Sequence, residues 1–145
     1  WVCIYKLCTL QLFRLFSLNE VNSNVIFLFP FASGLIKGYI TYAFLAWCIF
    51  IVSLCFHAYK YYVHNGLHLK HLRALDISMA ITCYLYMAYF VTMFIDHNQL
   101  YFYGALIATV ILFFFGKTKV GLRYNIHSYF HIAIGAVAGL IPLFA

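Results

Sequence analysis

The sequence predicts an all-α, polytopic membrane helix bundle of about five or six helices, forming a single transmembrane domain over residues 1–145. Three observations lead there. Hydrophobic residues make up 66% of the chain and charged residues 8%, against roughly 45–50% and about 25% in soluble domains. Three acids and nine Lys/Arg are too few to coat a water-facing surface. Apolar runs near the length of a bilayer crossing, about 20 residues, recur between short polar patches. The runs are continuous rather than alternating, which excludes a β-barrel. Composition likewise excludes a soluble globular domain, a nucleic-acid-binding protein and a disordered tail. The net charge of +6 needs no nucleic-acid partner, because loop cations act as topology signals.

The elements follow in order. Residues 1–18 are apolar but interrupted by Lys6 and Arg14, and form a candidate span. A polar patch, Asn19 to Asn24, precedes a second apolar run from Val25 to Ile36 that contains Pro30 and Gly34. This run predicts a short, kinked span that starts within the polar patch. Lys37-Gly38 marks a turn. Tyr39 to Tyr62 is the first clear span, followed by a loop over Val63 to Leu75. Asp76 opens the next helix, which runs to Ile95. Asp96 to Gln99 is a polar hairpin, Leu100 to Phe115 a span, and Gly116 to Asn125 a basic loop. The last helix runs from Ile126 to Phe144, with Pro142 near its end. Its Gly135, Ala136, Ala138 and Gly139 give it a small-residue face for close packing.

Five cysteines at scattered spacings, with no CxxC pair, give neither a disulfide framework nor a thiolate zinc site. The chain opens on Trp1 rather than Met, without a basic segment and cleavage site, so a fragment or shortened chain with no signal peptide is expected.

Polar residues inside these spans carry the chemistry. Ser53 and His57 lie four residues apart on one helix face, as do His127 and His131. Helices joined in series alternate direction across the bilayer. His57 near the end of its span, Asp76 at the start of the next, and His127 and His131 at the start of the last therefore fall at one membrane face. Three imidazoles with an open fourth position suit a tetrahedral zinc ion, Zn2+. Such a metal lowers the pKa of its water toward about 7. Asp76 then suits a general base or an orienting partner, and Ser53 a hydrogen-bond donor to water or an oxyanion. A single membrane histidine is commonly just an interhelical hydrogen-bond partner. The convergence of all these groups is what favours a site, because intramembrane ionisable residues are costly. His64, His68 and His71 read as solvated loop residues.

Ser53-Leu-Cys-Phe-His57, Leu75-Asp76 and His127-Ser-Tyr-Phe-His131 resemble the SxxxH…D…HxxxH pattern of a membrane hydrolase superfamily. That group includes alkaline ceramidases, the adiponectin-receptor group and Per1-like lipid-remodelling proteins. Ser23-Asn-Val-Ile-Phe-Leu-Phe-Pro30, and the HxxxH helix ending Leu140-Ile-Pro142, are similar to the transmembrane protein 8 and myomaker family within it. The resemblance covers roughly residues 23–95 and 124–145. It implies a seven-helix bundle, zinc ligands at His57, His127 and His131, and accessory roles for Asp76 and Ser53. Enzymes of the superfamily hydrolyse lipid amides or esters, and one branch of the closer family acts on glycosylphosphatidylinositol lipid, whereas myomaker acts in cell fusion. Residues 77–126 leave room for two fewer spans than the resemblance implies.

The leading expectation is therefore a zinc-dependent hydrolase of lipid amide or ester bonds in the plasma membrane or an endomembrane. Its partner is a membrane lipid, and homo-oligomerisation is a way to complete the shortened bundle. The alternatives are a non-enzymatic fusion or interaction factor with a structural metal, and a haem-binding bundle. Lys60, Lys70, Arg73, Lys117, Lys119 and Arg123 flank the site face against Lys37 on the other. The positive-inside rule reads that face as cytoplasmic, while the closer family implies an exoplasmic or lumenal site.

Overall fold

The structure, a computed structural model, describes residues 20–63 and 67–145. The candidate span over residues 1–18 and His64 lie outside the described residues. Among those described, every regular element is helical: a 3-10 turn, Asn22–Phe27, runs into α1, Leu28–Ile36; then come α2, Ile40–Val63; α3, Leu67–Phe94; α4, Gln99–Gly116; the short α5, Lys119–Arg123; and α6, Ile126–Phe144. Four of them, α2, α3, α4 and α6, are long and apolar enough to cross a membrane. The chain is an all-α bundle with the make-up of a multipass integral membrane protein. Its outer faces carry exposed Ile36, Leu85, Leu100 and Ile111, a surface suited to lipid rather than water.

The apolar run before the first clear span does begin within the polar patch, at Asn22. Together the 3-10 turn and α1 measure about 25 Å, just short of a hydrocarbon core of about 30 Å. Pro30 is the third residue of α1, at the junction with the 3-10 turn, where its lack of an N–H interrupts the run of helical hydrogen bonds. The chain turns at Lys37-Gly38 in a Schellman motif. Gly38 takes φ +77°, and the Gly38 and Tyr39 amides donate to the Leu35 and Gly34 carbonyls. Asn98, at φ 69°, turns the hairpin between α3 and α4.

One boundary differs substantially. The segment expected as a loop over Val63 to Leu75 is largely helix, because α2 ends at Val63 and α3 starts at Leu67. Asp76 therefore sits in the third turn of α3 rather than opening it. No Gly or Pro falls between Leu67 and Phe94. A helix that leaves the apolar layer has no reason to stop there, since charged residues such as Lys70 and Arg73 are good helix formers. His68 and His71 lie exposed on this projecting part.

The helix α6 is the hub. It packs against the 3-10 turn and α1 on one side and α4 on the other, while α2 bridges α1 and α3. A side chain at Gly139 would collide with the Phe29 ring, and one at Gly135 with Ile26. The small-residue face thus lets α1 lie close. On the other side of α2, Phe90 stacks edge-on against Tyr39 and Tyr42, with ring centroids 4.7 and 5.0 Å apart. This aromatic knot clamps α2 to α3. By contrast α3 touches α4 and α6 only sparsely, and the space between them is a cavity of about 480 Å³.

Pro142 lies inside α6 rather than closing it, since the helix continues to Phe144. A proline there denies the Ala138 carbonyl its usual amide partner four residues on. The Tyr42 hydroxyl supplies the replacement, donating to Ala138 O at 2.6 Å. Both residues are buried. Tyr42→Phe should therefore cost about 1–3 kcal/mol, the penalty of an unpartnered buried carbonyl, read by thermal unfolding in detergent. In a Pro142→Ala background the restored amide takes over the bond and the loss should shrink. Equal losses in both backgrounds would dissociate the hydroxyl from the proline.

Candidate metal centre

The three histidines predicted to converge do so. His57 comes from the last two turns of α2, and His127 and His131 from the first two turns of α6. Each offers one ligand nitrogen within 4.8 Å of the others. Ring centroids lie 5.0 Å apart for His57–His131, 4.7 Å for His127–His131 and 5.5 Å for His57–His127. His57 and His131 are 2% and 3% exposed, and His127 is half-buried. The α6 helix starts abruptly at Asn125, which takes φ 53°. Its Oδ1 accepts a hydrogen bond from Ser128 Oγ at 3.0 Å. That start sets the register placing His127 and His131 one turn apart on the face toward α2.

Two residues that the sequence reading passed over complete the cluster. The Glu20 carboxylate lies 3.0 Å from His57 Nδ1 and 2.6 Å from Lys60 Nζ. The bond from His57, followed by Lys60, holds the Glu20 carboxyl far below the usual range despite partial burial. An ionised carboxylate only accepts, so His57 donates through Nδ1–H. Its Nε2 is buried with no hydrogen-bond partner. Ser23 Oγ lies 3.1 Å from His131 Nδ1 and 3.2 Å from the Glu20 carbonyl, to which it donates. With its one proton used there, Ser23 accepts from His131 Nδ1–H. Both histidines therefore carry their proton on Nδ1 and keep the Nε2 lone pair. Metal-ligating histidines have this form, one ring nitrogen bonded to protein and the other to the ion. A buried imidazole nitrogen otherwise left without a partner costs on the order of 1–3 kcal/mol. The donor set thus fits a metal ion.

The signal for Glu20 was available. It is the one glutamate in a chain with three acids, and in so apolar a sequence each acid needs a reason. Lys60, grouped with the topology cations, is an ion-pair partner here.

Ser53 and Asp76 stand beside the cluster. Ser53 is 3% exposed, one turn before His57. Asp76 on α3 hydrogen-bonds with Ser53 and lies near His57. Ser53, Asp76, His127 and His131 all line the 480 Å³ cavity, whose remaining walls are almost wholly apolar, with Ile81, Val110 and Phe130 among them. Near His127 at the cavity edge, Lys117 Nζ sits 3.9 Å over the ring of Phe113. Of the five residues singled out from sequence, four line this cavity and the fifth, His57, adjoins it through the histidine cluster. His68 and His71 stay outside it.

No protein-family model, curated protein or solved structure matches the chain. The chemistry of this centre rests on its geometry.

If His57, His127 and His131 share one ion, the His127→Ala, His131→Ala double variant should fall well below one metal per chain by mass spectrometry. Its unfolding temperature should also lose its response to added metal, since binding is linked to folding. Full metal retention in that variant would rule the shared site out.

Proposed function

We propose that this protein is a zinc-dependent membrane hydrolase acting on a lipid amide or ester. The observation that carries the reading is the meeting of three unsaturated imidazole donors with Asp76 and Ser53 at the polar end of an otherwise apolar cavity. Three histidines with a free fourth position are the donor set of catalytic zinc sites, while structural sites close with four protein ligands. The resemblance to the ceramidase and adiponectin-receptor superfamily supports the same ion and chemistry. Ring centroids 4.7–5.5 Å apart leave no slot for a porphyrin plane between the imidazoles, which favours a bare ion over haem.

A zinc ion bound there supplies Lewis acidity that brings the pKa of water toward about 7. Asp76 lies where it can take the proton of an attacking water as a general base. It can then return that proton to the departing amine or alkoxide as the carbon–nitrogen or carbon–oxygen bond breaks. Ser53 donates its single proton to the Asp76 carboxylate; once Asp76 has taken the proton of the water, that hydroxyl is free to donate to the oxygen that gains charge on the acyl carbon. The volume of about 480 Å³ falls within the range of about 300–1,000 Å³ typical of ligand pockets. Its apolar walls suit an acyl chain, and Lys117 at the edge suits a polar headgroup. The sparse packing of α3 against α4 gives an amphiphile a route from the bilayer.

Purified protein with one zinc bound should release fatty acid from at least one of a ceramide, a phosphatidylcholine and a glycosylphosphatidylinositol lipid. Asp76→Asn should retain the metal but slow release by about 10²–10⁴-fold, because an amide cannot accept the proton. Loss of metal in that variant would make Asp76 a ligand. No release from any of the three lipids, with zinc bound and the fold intact, would leave the non-enzymatic reading with a structural metal.

A further inference from the structure

Two of the three clustered histidines are held by a turn that contributes no ligand. Glu20 engages His57 Nδ1 at 3.0 Å, and Ser23, three residues on, engages His131 Nδ1 at 3.1 Å. The turn is itself locked. Its Glu20 carbonyl accepts from both Ser23 Oγ, at 3.2 Å, and Asn24 Nδ2, at 2.8 Å. Lys60 Nζ grips the Glu20 carboxylate from α2 at 2.6 Å. Ser23 and Asn24 are 4% and 0% exposed, so water scarcely competes for their contacts, whereas the Lys60 pair is open to solvent. His127 differs. Its ring packs on Phe113 and Phe130, and no group among the described residues hydrogen-bonds it.

We infer that the turn over residues 20–24 positions the metal ligands: Glu20 and Ser23 fix the tautomer and ring direction of His57 and His131, and metal affinity depends on both. The inference rests on the three-histidine reading of the site. Its physical basis is that a histidine ligand binds through the nitrogen its outer partner leaves free, and that losing such a partner weakens binding about 10–100-fold. The Glu20 carboxylate accepts only, so it admits only the tautomer with a free Nε2. Ser23 reaches the same result because the Glu20 carbonyl takes its single proton. One backbone carbonyl thus ties the two ligand settings together. His57 and His131 form a preset pair, and His127 is the ligand free to adjust. Lys60 acts at one remove, keeping the Glu20 side chain against α2. Glu20 and Ser23 are therefore positioning residues, not catalytic ones.

The test uses the full chain in detergent, with Zn2+ affinity from chelator competition and Co2+ as a spectroscopic probe. Wild-type protein that takes up neither ion would defeat the three-histidine reading itself. Given wild-type binding, Glu20→Ala and Ser23→Ala should each weaken Zn2+ binding about 10–100-fold and alter the visible Co2+ bands. Glu20→Gln keeps an acceptor oxygen and should recover part of the affinity. Val25→Ala, on an exposed position of the same segment, should bind as wild type does. A purely structural role would lower the unfolding temperature equally with and without metal. A positioning role should instead shrink the rise in unfolding temperature that metal produces. Should Glu20→Ala fail to fold, Ser23→Ala and Glu20→Gln carry the same comparison. Affinities within twofold of wild type with unchanged Co2+ spectra, or an unfolding temperature lowered equally in both states, would overturn the inference.

Discussion

A hydrocarbon layer gives a polar group no water, so each one must find its partner within the chain or go without. The hydrogen bond from His57 to Glu20 answers that constraint for His57, which is 2% exposed. It brings a carboxylate, an imidazole and the Lys60 ammonium together within hydrogen-bonding reach. It joins the start of the 3-10 turn to the end of α2, elements far apart in sequence. Ser23, one turn further on, joins the same segment to α6. The three parts of the chain that build the histidine cluster are thus tied by polar contacts at the site end. The Tyr42 bond to Ala138 joins α2 and α6 a second time, away from the histidines. Between these ends α2 and α6 are held through the 3-10 turn and α1, which pack on both, but dispersion contacts are non-directional and cannot by themselves set which way an imidazole faces.

Much of this was legible in the sequence because its signals are local. Span lengths follow from runs of apolar residues, and a helix with residues four apart must place them on one face. Ser53 with His57, and His127 with His131, needed nothing more. Alternating helix direction then brought the pairs to one membrane face without any knowledge of packing. What was missed is non-local or competes with a local signal. Hydropathy marks where a chain leaves the bilayer but not where its helix stops, so α3 began ahead of Asp76 rather than at it. A proline near a helix end signals termination, yet Pro142 is carried inside α6 because a tyrosine from another helix satisfies the carbonyl it strands. Glu20 and Ser23 read as members of a polar patch. Their partners lie 37 and 108 residues away, and no periodicity records such a pairing.

The distribution of rigidity bears on what the site can do. Structural metal sites close with four protein ligands. Here α2 and α6 bring together three histidines that could hold an ion, and the turn at residues 20–24 engages the rings of His57 and His131. The nearest carboxylate outside that turn, Asp76, belongs to α3, which packs on α2 but barely on α4 or α6. Asp76 is engaged with Ser53 on the neighbouring helix, which keeps it beside the cluster. The three histidines thus come from α2 and α6, and the neighbouring carboxylate comes from α3, which α2 clamps but α4 and α6 barely touch. Because α2 and α6 scarcely touch each other directly, an ion held by His57, His127 and His131 would also tie together two helices that packing leaves apart.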